Sequence, residues 1–146
     1  MRTQYKKFAN RGFTLLECLI AIVLVGIAVA ALVAANGSFT RVNAQASELS
    51  TAEYLIEQIR ERSDLFSYED VYSFDDAAFN PPITADGQVL NDFGAYTQRV
   101  TVENINPSNF ELVVVDHSTN YVRVSVTILL NGKKVTTSRW IRARYP

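Results

Sequence analysis

The stretch that decides the fold is RGFTLLECLIAIVLVGIAVAALVAA, which runs from Arg11 to Ala35. Its last 18 residues, Cys18–Ala35, are all apolar or glycine and reach the minimum length of a membrane-spanning helix. Counted from Phe13, the stretch is roughly 34 Å long at ~1.5 Å per residue, which is enough to cross a bilayer. From Phe13 to Ala35 the one charged residue is Glu17, near the start. The stretch therefore predicts a membrane-spanning or exported helix whose carboxylate needs a physical explanation.

The charges that flank this stretch predict its orientation. Residues 1–12 form a basic leader with four Lys or Arg residues and no acid, and positive residues before a span stay cytoplasmic. We therefore expect the N-terminus inside and the rest of the chain outside. The chain has one cysteine, Cys18, and one histidine, His117, so we expect no intrachain disulfide, no zinc site and no cofactor.

Residues 13–63 contain no proline and predict one long helix. Its first part, 13–37, is the transmembrane half, and residues 38–63 form an amphipathic half. Gly37 separates the two, and we expect a bend or local melting there because glycine lowers helix propensity by ~1 kcal/mol. A stripe with helical spacing is expected to pack under a sheet. It consists of Val42, Ala46, Leu49, Ala52, Ile56 and Ile59.

The last two segments differ sharply in composition. Residues 64–95 hold seven acids, no base and six aromatics, and we interpret them as a connecting loop packed by its aromatic side chains. Residues 96–146 are rich in Val, Ile and Thr and predict an antiparallel β-sheet. The predicted strands are YTQRVTVENI, FELVVVD, YVRVSVTILL and KKVTTSRWIRA. The predicted fold class is α+β, a long N-terminal helix packed on a small sheet.

Asn131-Gly132 predicts a two-residue hairpin between the last two strands. This turn implies a specific register. The expected buried pairs are Ile128–Val135, Val126–Thr137 and Val122–Ile141, and the expected outer pairs are Arg123–Trp140 and Thr127–Thr136. We expect Arg123 to stack on Trp140.

Three explanations of Glu17 remain open. The carboxylate suits the first turn of a helix at the membrane surface, where it favours the helix dipole. A proton relay is a second explanation, but residues 18–35 offer no further ionisable group that would pass the proton on, apart from the thiol of Cys18. A third requires cleavage after Gly12. Phe13 then gains an ammonium that meets Glu17 of a neighbouring subunit, so that two buried charges offset each other's desolvation.

The heptapeptide RGFTLLE resembles the type IV prepilin cleavage and methylation motif. The resemblance implies cleavage between Gly12 and Phe13 by a prepilin peptidase, followed by N-methylation of Phe13. It also implies that Glu17 and Phe13 make the contact that assembles the filament. The remaining residues would form the recognition motif, and these are Arg11, Thr14, Leu15 and Leu16.

The resemblance implies a structural subunit rather than an enzyme. Its partners would be the peptidase, other pilin or pseudopilin subunits, the inner-membrane assembly platform and the lipid bilayer. The chain would be a single-pass inner-membrane protein that then enters a pilus or a type II secretion pseudopilus. TAEYLIEQIRE (51–61) is similar to minor subunits of the V- and I-type, and the two cysteines of many major pilins are missing. We therefore expect a minor subunit.

Parts of the sequence also fit other functions. A secretory signal cut near Ala28-Val29-Ala30 conflicts with an apolar run longer than ~7–15 residues. The triplet Asp116-His117-Ser118 is interpreted as a turn, because catalytic partners rarely adjoin in sequence. Four acids of the loop have the oxygen ligands that calcium prefers, but we interpret them as solvated, and these are Asp75, Asp76, Asp86 and Asp92.

A DNA-uptake pilin is the remaining alternative. After Asp116 every charged side chain is basic, and Trp140 and Tyr145 accompany them. Without residues 1–12, however, the chain has ten basic and fifteen acidic residues. That balance disfavours a general phosphate binder, and nucleic acid is not an expected partner.

Overall fold

The computed structural model describes residues 13–144, so the leader 1–12, with Arg11 and Gly12, lies outside the described residues. One long helix, α1, is followed by five strands. Their bounds are α1 Leu15–Leu65, β1 Ala78–Phe79, β2 Tyr96–Asn106, β3 Asn109–Val113, β4 Tyr121–Leu130 and β5 Lys133–Ala143. The predicted α+β fold, a long helix with a small antiparallel sheet, is confirmed. The chain divides into two compact units between Ala44 and Gln45, and each is described by itself.

The described part of the first unit consists of Phe13, Thr14 and the first 30 residues of α1, all of them exposed. Local melting at Gly37 is not observed, because the helix continues through this residue. The polar side chains that follow it bond to the helix itself. Ser38 Oγ donates to the Ala34 carbonyl at 3.2 Å, and Thr40 Oγ1 donates to the Asn36 carbonyl at 3.0 Å. These hydroxyls therefore do not compete with the helix at its glycine.

In the second unit, the C-terminal part of α1 packs on the sheet. The strand order is β1-β2-β4-β5 with antiparallel pairs, and β3 pairs with the end of β2. The hydrophobic core contains side chains from α1 and from β4 that are at most 7% exposed, and these are Ala52, Leu55, Ile56, Ile59, Val122, Val124, Val126 and Ile128. The predicted stripe is correct only from Ala52 onward. Leu49 is 43% exposed and Val42 is 59% exposed.

The β4–β5 hairpin has the expected turn but not the expected register. Next to the turn, Leu130 pairs with Lys133 and Leu129 with Lys134, but Ile128 then pairs with Thr136. Val135 is therefore the extra residue of a β-bulge, and a shift of one residue exchanges the two faces of the rest of the strand. The five predicted pairs are accordingly wrong. They are replaced by Ile128–Thr136, Thr127–Thr137, Val126–Ser138, Arg123–Ile141 and Val122–Arg142.

The shift moves Trp140 to the helix side of the sheet. It pairs with the buried Val124, and the guanidinium of Arg60 on α1 lies 5.7 Å from its ring centroid. The expected stacking of Arg123 on Trp140 is wrong. Arg123 instead donates to Glu103 Oε2 at 2.7 Å on the opposite face. The one tryptophan of the chain thus reports on the packing of α1 against the sheet.

Two buried amides of β2 hold the connecting segment and α1 onto the sheet. Gln98 Nε2 donates to the carbonyls of Leu55 and Ile83 at 2.9 and 3.1 Å, and its Oε1 accepts the Ile83 N–H at 2.8 Å. Asn104 Oδ1 accepts the Tyr72 hydroxyl at 2.6 Å. Burial raises the pKa of Tyr72, so its hydroxyl remains a donor to Asn104. Both amides are fully buried, and their bonds replace those that water would make.

Leu55→Ala is expected to lower the free energy of unfolding of the second unit by about 2–5 kcal/mol, because a fully buried leucine leaves a cavity when it is truncated. Leu65→Ala is the matched control in the same helix, where the side chain is 75% exposed and the expected change is below about 0.5 kcal/mol. Denaturant unfolding monitored by Trp140 fluorescence measures both. Equal losses in the two variants would contradict the assigned core.

Candidate assembly and processing site

The first turn of α1 is closed by a reciprocal pair of side chains. Phe13 and Thr14 lie before the helix, which begins at Leu15. The Thr14 N–H donates to Glu17 Oε2 at 2.7 Å, and the Glu17 N–H donates to Thr14 Oγ1 at 3.2 Å. The Thr14 hydroxyl also donates to Glu17 Oε2 at 2.9 Å. Thr14 and Glu17 thus form a capping box, in which each side chain satisfies an N–H of the helix end.

The capping box is a structural role that the sequence interpretation did not assign. The signal was present as T-x-x-E over residues 14–17. It agrees with the explanation that places Glu17 in the first turn, and it gives Thr14 a role other than the expected one in recognition. The Glu17 carboxylate accepts two hydrogen bonds from Thr14, one from its N–H and one from its hydroxyl, and both end on Oε2. Neither of these bonds involves Oε1.

The surface that surrounds this site is apolar and uncovered. Phe13, Leu15 and Leu16 are 87%, 81% and 65% exposed. An 18-residue window of α1 has a mean hydropathy of 3.0, and none of it is buried. Exposed apolar area costs ~25 cal/mol per Å² in water. This part of the chain is therefore suited to lipid or to the apolar surface of other helices.

The triplet Asp116-His117-Ser118, whose residue types are those of a catalytic triad, lies in a turn. His117 has a φ of 58°, and its N–H donates to Asn104 Oδ1 at 2.6 Å. Its ring centroid lies 4.3 Å from that of Tyr72. The Ser118 hydroxyl donates to the Val115 carbonyl rather than to His117. These contacts favour the turn interpretation.

The acids considered for calcium also make local contacts. Asp75 Oδ1 accepts the Val102 N–H at 2.8 Å and so joins the loop to β2. Asp86 accepts bonds from the Thr84 hydroxyl and the Gln88 amide, and the bond from Thr84 lowers the pKa of Asp86. Within residues 13–144, no group of three or more His, Cys, Asp or Glu side chains is placed to hold a metal ion.

Three of the arginines considered for nucleic acid have partners within the chain. Arg142 donates to the carbonyls of Ser63 and Phe66 at 2.6 and 3.0 Å, at the C-terminal end of α1. Arg144 lies 2.9 Å from a Glu69 carboxylate oxygen. The third, Arg123, pairs with Glu103, as described above. A cation at a helix C-terminus satisfies free carbonyls and opposes the negative end of the helix dipole. The geometry therefore gives these side chains structural roles.

Comparison with known proteins finds a similarity at the N-terminal end of the chain. Residues 7–33 match a family described as the prokaryotic N-terminal methylation motif. The matched range contains Gly12, Phe13 and the Thr14–Glu17 capping box, together with most of the exposed apolar helix. No curated protein and no solved structure matches the chain.

Proposed function

We propose that this chain is a structural filament subunit, a minor pilin or a pseudopilin, because its residues 7–33 match the N-terminal methylation motif and so support the type IV pilin and pseudopilin family. The filament would be a type IV pilus or a type II secretion pseudopilus. One observation carries this proposal. An uncovered apolar helix begins at a capped carboxylate, and the methylation motif covers both. The family is one of structural subunits rather than enzymes.

The proposed life of the subunit starts in the inner membrane, where the motif and the apolar helix fit an anchored pilin. A prepilin peptidase cuts between Gly12 and Phe13 on the cytoplasmic side, and the new N-terminus is methylated. That peptidase would recognise Arg11, Thr14, Leu15 and Leu16. The assembly platform then extracts the helix, and lipid contacts are exchanged for contacts with other subunits. The second unit lies outside the membrane throughout.

The proposed docking contact is an ion pair between two copies. The ammonium of Phe13 in one subunit would meet Glu17 Oε1 in the next, while Oε2 keeps its bonds to Thr14. In an apolar filament centre an unpaired charge is strongly unfavourable, and a close opposite charge offsets much of that cost. Only one axial stagger brings the two groups together. The contact would therefore set the register of the filament.

The N-terminal residue of the native chain tests the proposed processing. We expect mass spectrometry of the membrane-bound protein to show methylated Phe13 as the first residue. Cells that lack the prepilin peptidase provide the control, and there residues 1–12 should remain attached. A first residue beyond Ala30, or an intact leader in cells with the peptidase, would contradict the proposal.

A further inference from the structure

The turn end of the β4–β5 hairpin forms an open groove with one wall of α1. The groove has a volume of about 620 Å³, and we call it the hairpin groove. Its apolar lining comes from Leu49 on α1 and from Leu130 and Val135 on the strands. Its charged rim has two cations and one anion, and these are Lys133, Lys134 and Glu48. The bulge at Val135 and the exposed end of the helical stripe meet here, so the groove is apolar inside and carries net positive charge at its rim.

A second apolar surface lies on and beyond β3. Every residue of this strand is exposed, although most of its side chains are apolar. We call residues 110–116 the β3 ridge. Its apolar members are 45–80% exposed, and these are Phe110, Leu112, Val113 and Val115. Its acids are Glu111, with 88% of its side chain exposed, and Asp116. Several exposed apolar side chains within one short segment of a small domain are a candidate interaction surface.

The two surfaces lie at opposite ends of the same sheet. At one end of β2, Tyr96 pairs with Leu130 beside the hairpin groove. Near its other end, Ile105 pairs with Val113 of the β3 ridge. Nine residue steps at ~3.3 Å per residue place these ends roughly 30 Å apart. The ridge therefore does not reach the groove of its own chain.

We propose that the β3 ridge of one copy of this chain packs into the hairpin groove of a second copy. The apolar side chains of the ridge would cover Leu49, Leu130 and Val135. Glu111 and Asp116 would approach Lys133 and Lys134, so both the apolar and the charged features are complementary. This inference rests on the proposed filament function and adds to it the surface through which the second units touch.

The geometry of this contact has a consequence for assembly. We expect each copy to offer its ridge and its groove to different neighbours, which is a heterologous contact that leaves one ridge and one groove free in every dimer. Such a contact extends to further copies, whereas an isologous contact would stop at two. The expected product is therefore an open row of subunits.

Cysteine cross-linking in assembled filaments tests the contact. The background is the full chain with Cys18→Ser, and the pair is Leu49→Cys with Val115→Cys, both at exposed positions. With a short bis-maleimide we expect the double variant to give a ladder of multimers. Each single variant should give no cross-link, and co-expression of the two single variants should give dimers. A dimer from Val115→Cys alone, or a product with another protein in place of the ladder, would overturn the proposal.

Charge reversal provides the matched test of the rim. Lys133→Glu with Lys134→Glu is expected to reduce the ladder at least about five-fold, since like charges then face each other. Adding Glu111→Lys and Asp116→Lys should restore it. If the Cys18→Ser chain that carries Leu49→Cys and Val115→Cys is cleaved before Phe13 and enters filaments but gives no ladder, the inference fails and the proposed function stands. If that chain is neither cleaved nor incorporated, the proposed function fails, and this inference fails with it.

Discussion

Glu17→Ala and Glu17→Gln are both expected to block incorporation into filaments while cleavage before Phe13 continues. The physical reason is that both variants remove the negative charge that would pair with the ammonium of a neighbouring subunit. Mass spectrometry of the membrane fraction measures cleavage, and the amount of the chain in sheared filaments measures incorporation. We expect at least about a ten-fold loss of incorporation, because an unpaired buried charge is a severe defect.

Glutamine separates the two roles of this side chain. A capping box accepts Glu or Gln at its third helical position, so Glu17→Gln keeps the cap and loses only the charge. Thr14→Ala is the complementary control, because it removes the hydroxyl of the cap and keeps the carboxylate. Normal incorporation of Glu17→Gln together with a defect in Thr14→Ala would show that Glu17 serves as a cap alone. That result would contradict the docking role.

Gln98→Leu is expected to lower the free energy of unfolding of the second unit by about 2–4 kcal/mol. Leucine has a similar size, but it leaves the carbonyls of Leu55 and Ile83 and the N–H of Ile83 without this partner. A buried polar group that loses its partner costs about 1–3 kcal/mol, and these groups belong to α1 and to the connecting segment. Denaturant unfolding of the full chain in detergent, monitored by Trp140 fluorescence, measures the loss.

The control for Gln98→Leu is the same substitution at Gln88. That side chain is exposed, and its amide donates to Asp86 at 2.8 Å on the surface. We expect a change below about 0.5 kcal/mol there. If Gln98→Leu were as stable as the wild-type chain, the amide would not hold α1 and the segment near Ile83 to the sheet. The structural role assigned to Gln98 would then be wrong.

The regular elements of this chain are readable from its sequence because their patterns are strong. The predicted strands YTQRVTVENI and YVRVSVTILL correspond to the observed β2 and β4 within one residue, since Val and Ile alternate with polar residues along both. The helix is observed to end at Leu65, two residues beyond its expected end. These features depend on local sequence and on burial of one face, and both can be inferred from residue types.

The features that were not predicted depend on contacts between distant residues. The bulge at Val135 changes the partner of every later residue of β5, yet no glycine or proline marks it in the sequence. The amides of Gln98 and Asn104 look like ordinary strand residues until α1, Ile83 and Tyr72 are placed around them. Leu49 has the spacing of a buried residue but lies beside an open groove.

The candidate site could be predicted as a motif but not as a geometry. RGFTLLE indicated residues 11–17, and the family match at residues 7–33 includes them. The bonds between Thr14 and Glu17 are not among the predictions, which treat the carboxylate only as a charge. The roles of Phe13 and Glu17 in docking remain predictions, since they concern a second copy of the chain.

The position of the cap affects how the cleaved chain begins. The regular helix begins only after Thr14. The amine created at Phe13 would therefore lie on a non-helical arm of two residues rather than on the helix axis. Rotation about the bonds of that arm would let the amine swing sideways toward another molecule. A helix that began at Phe13 would hold the amine at its own positive pole, where it would be repelled. If the proposed docking is correct, this segment would let the amine reach a neighbouring molecule without distortion of the helix.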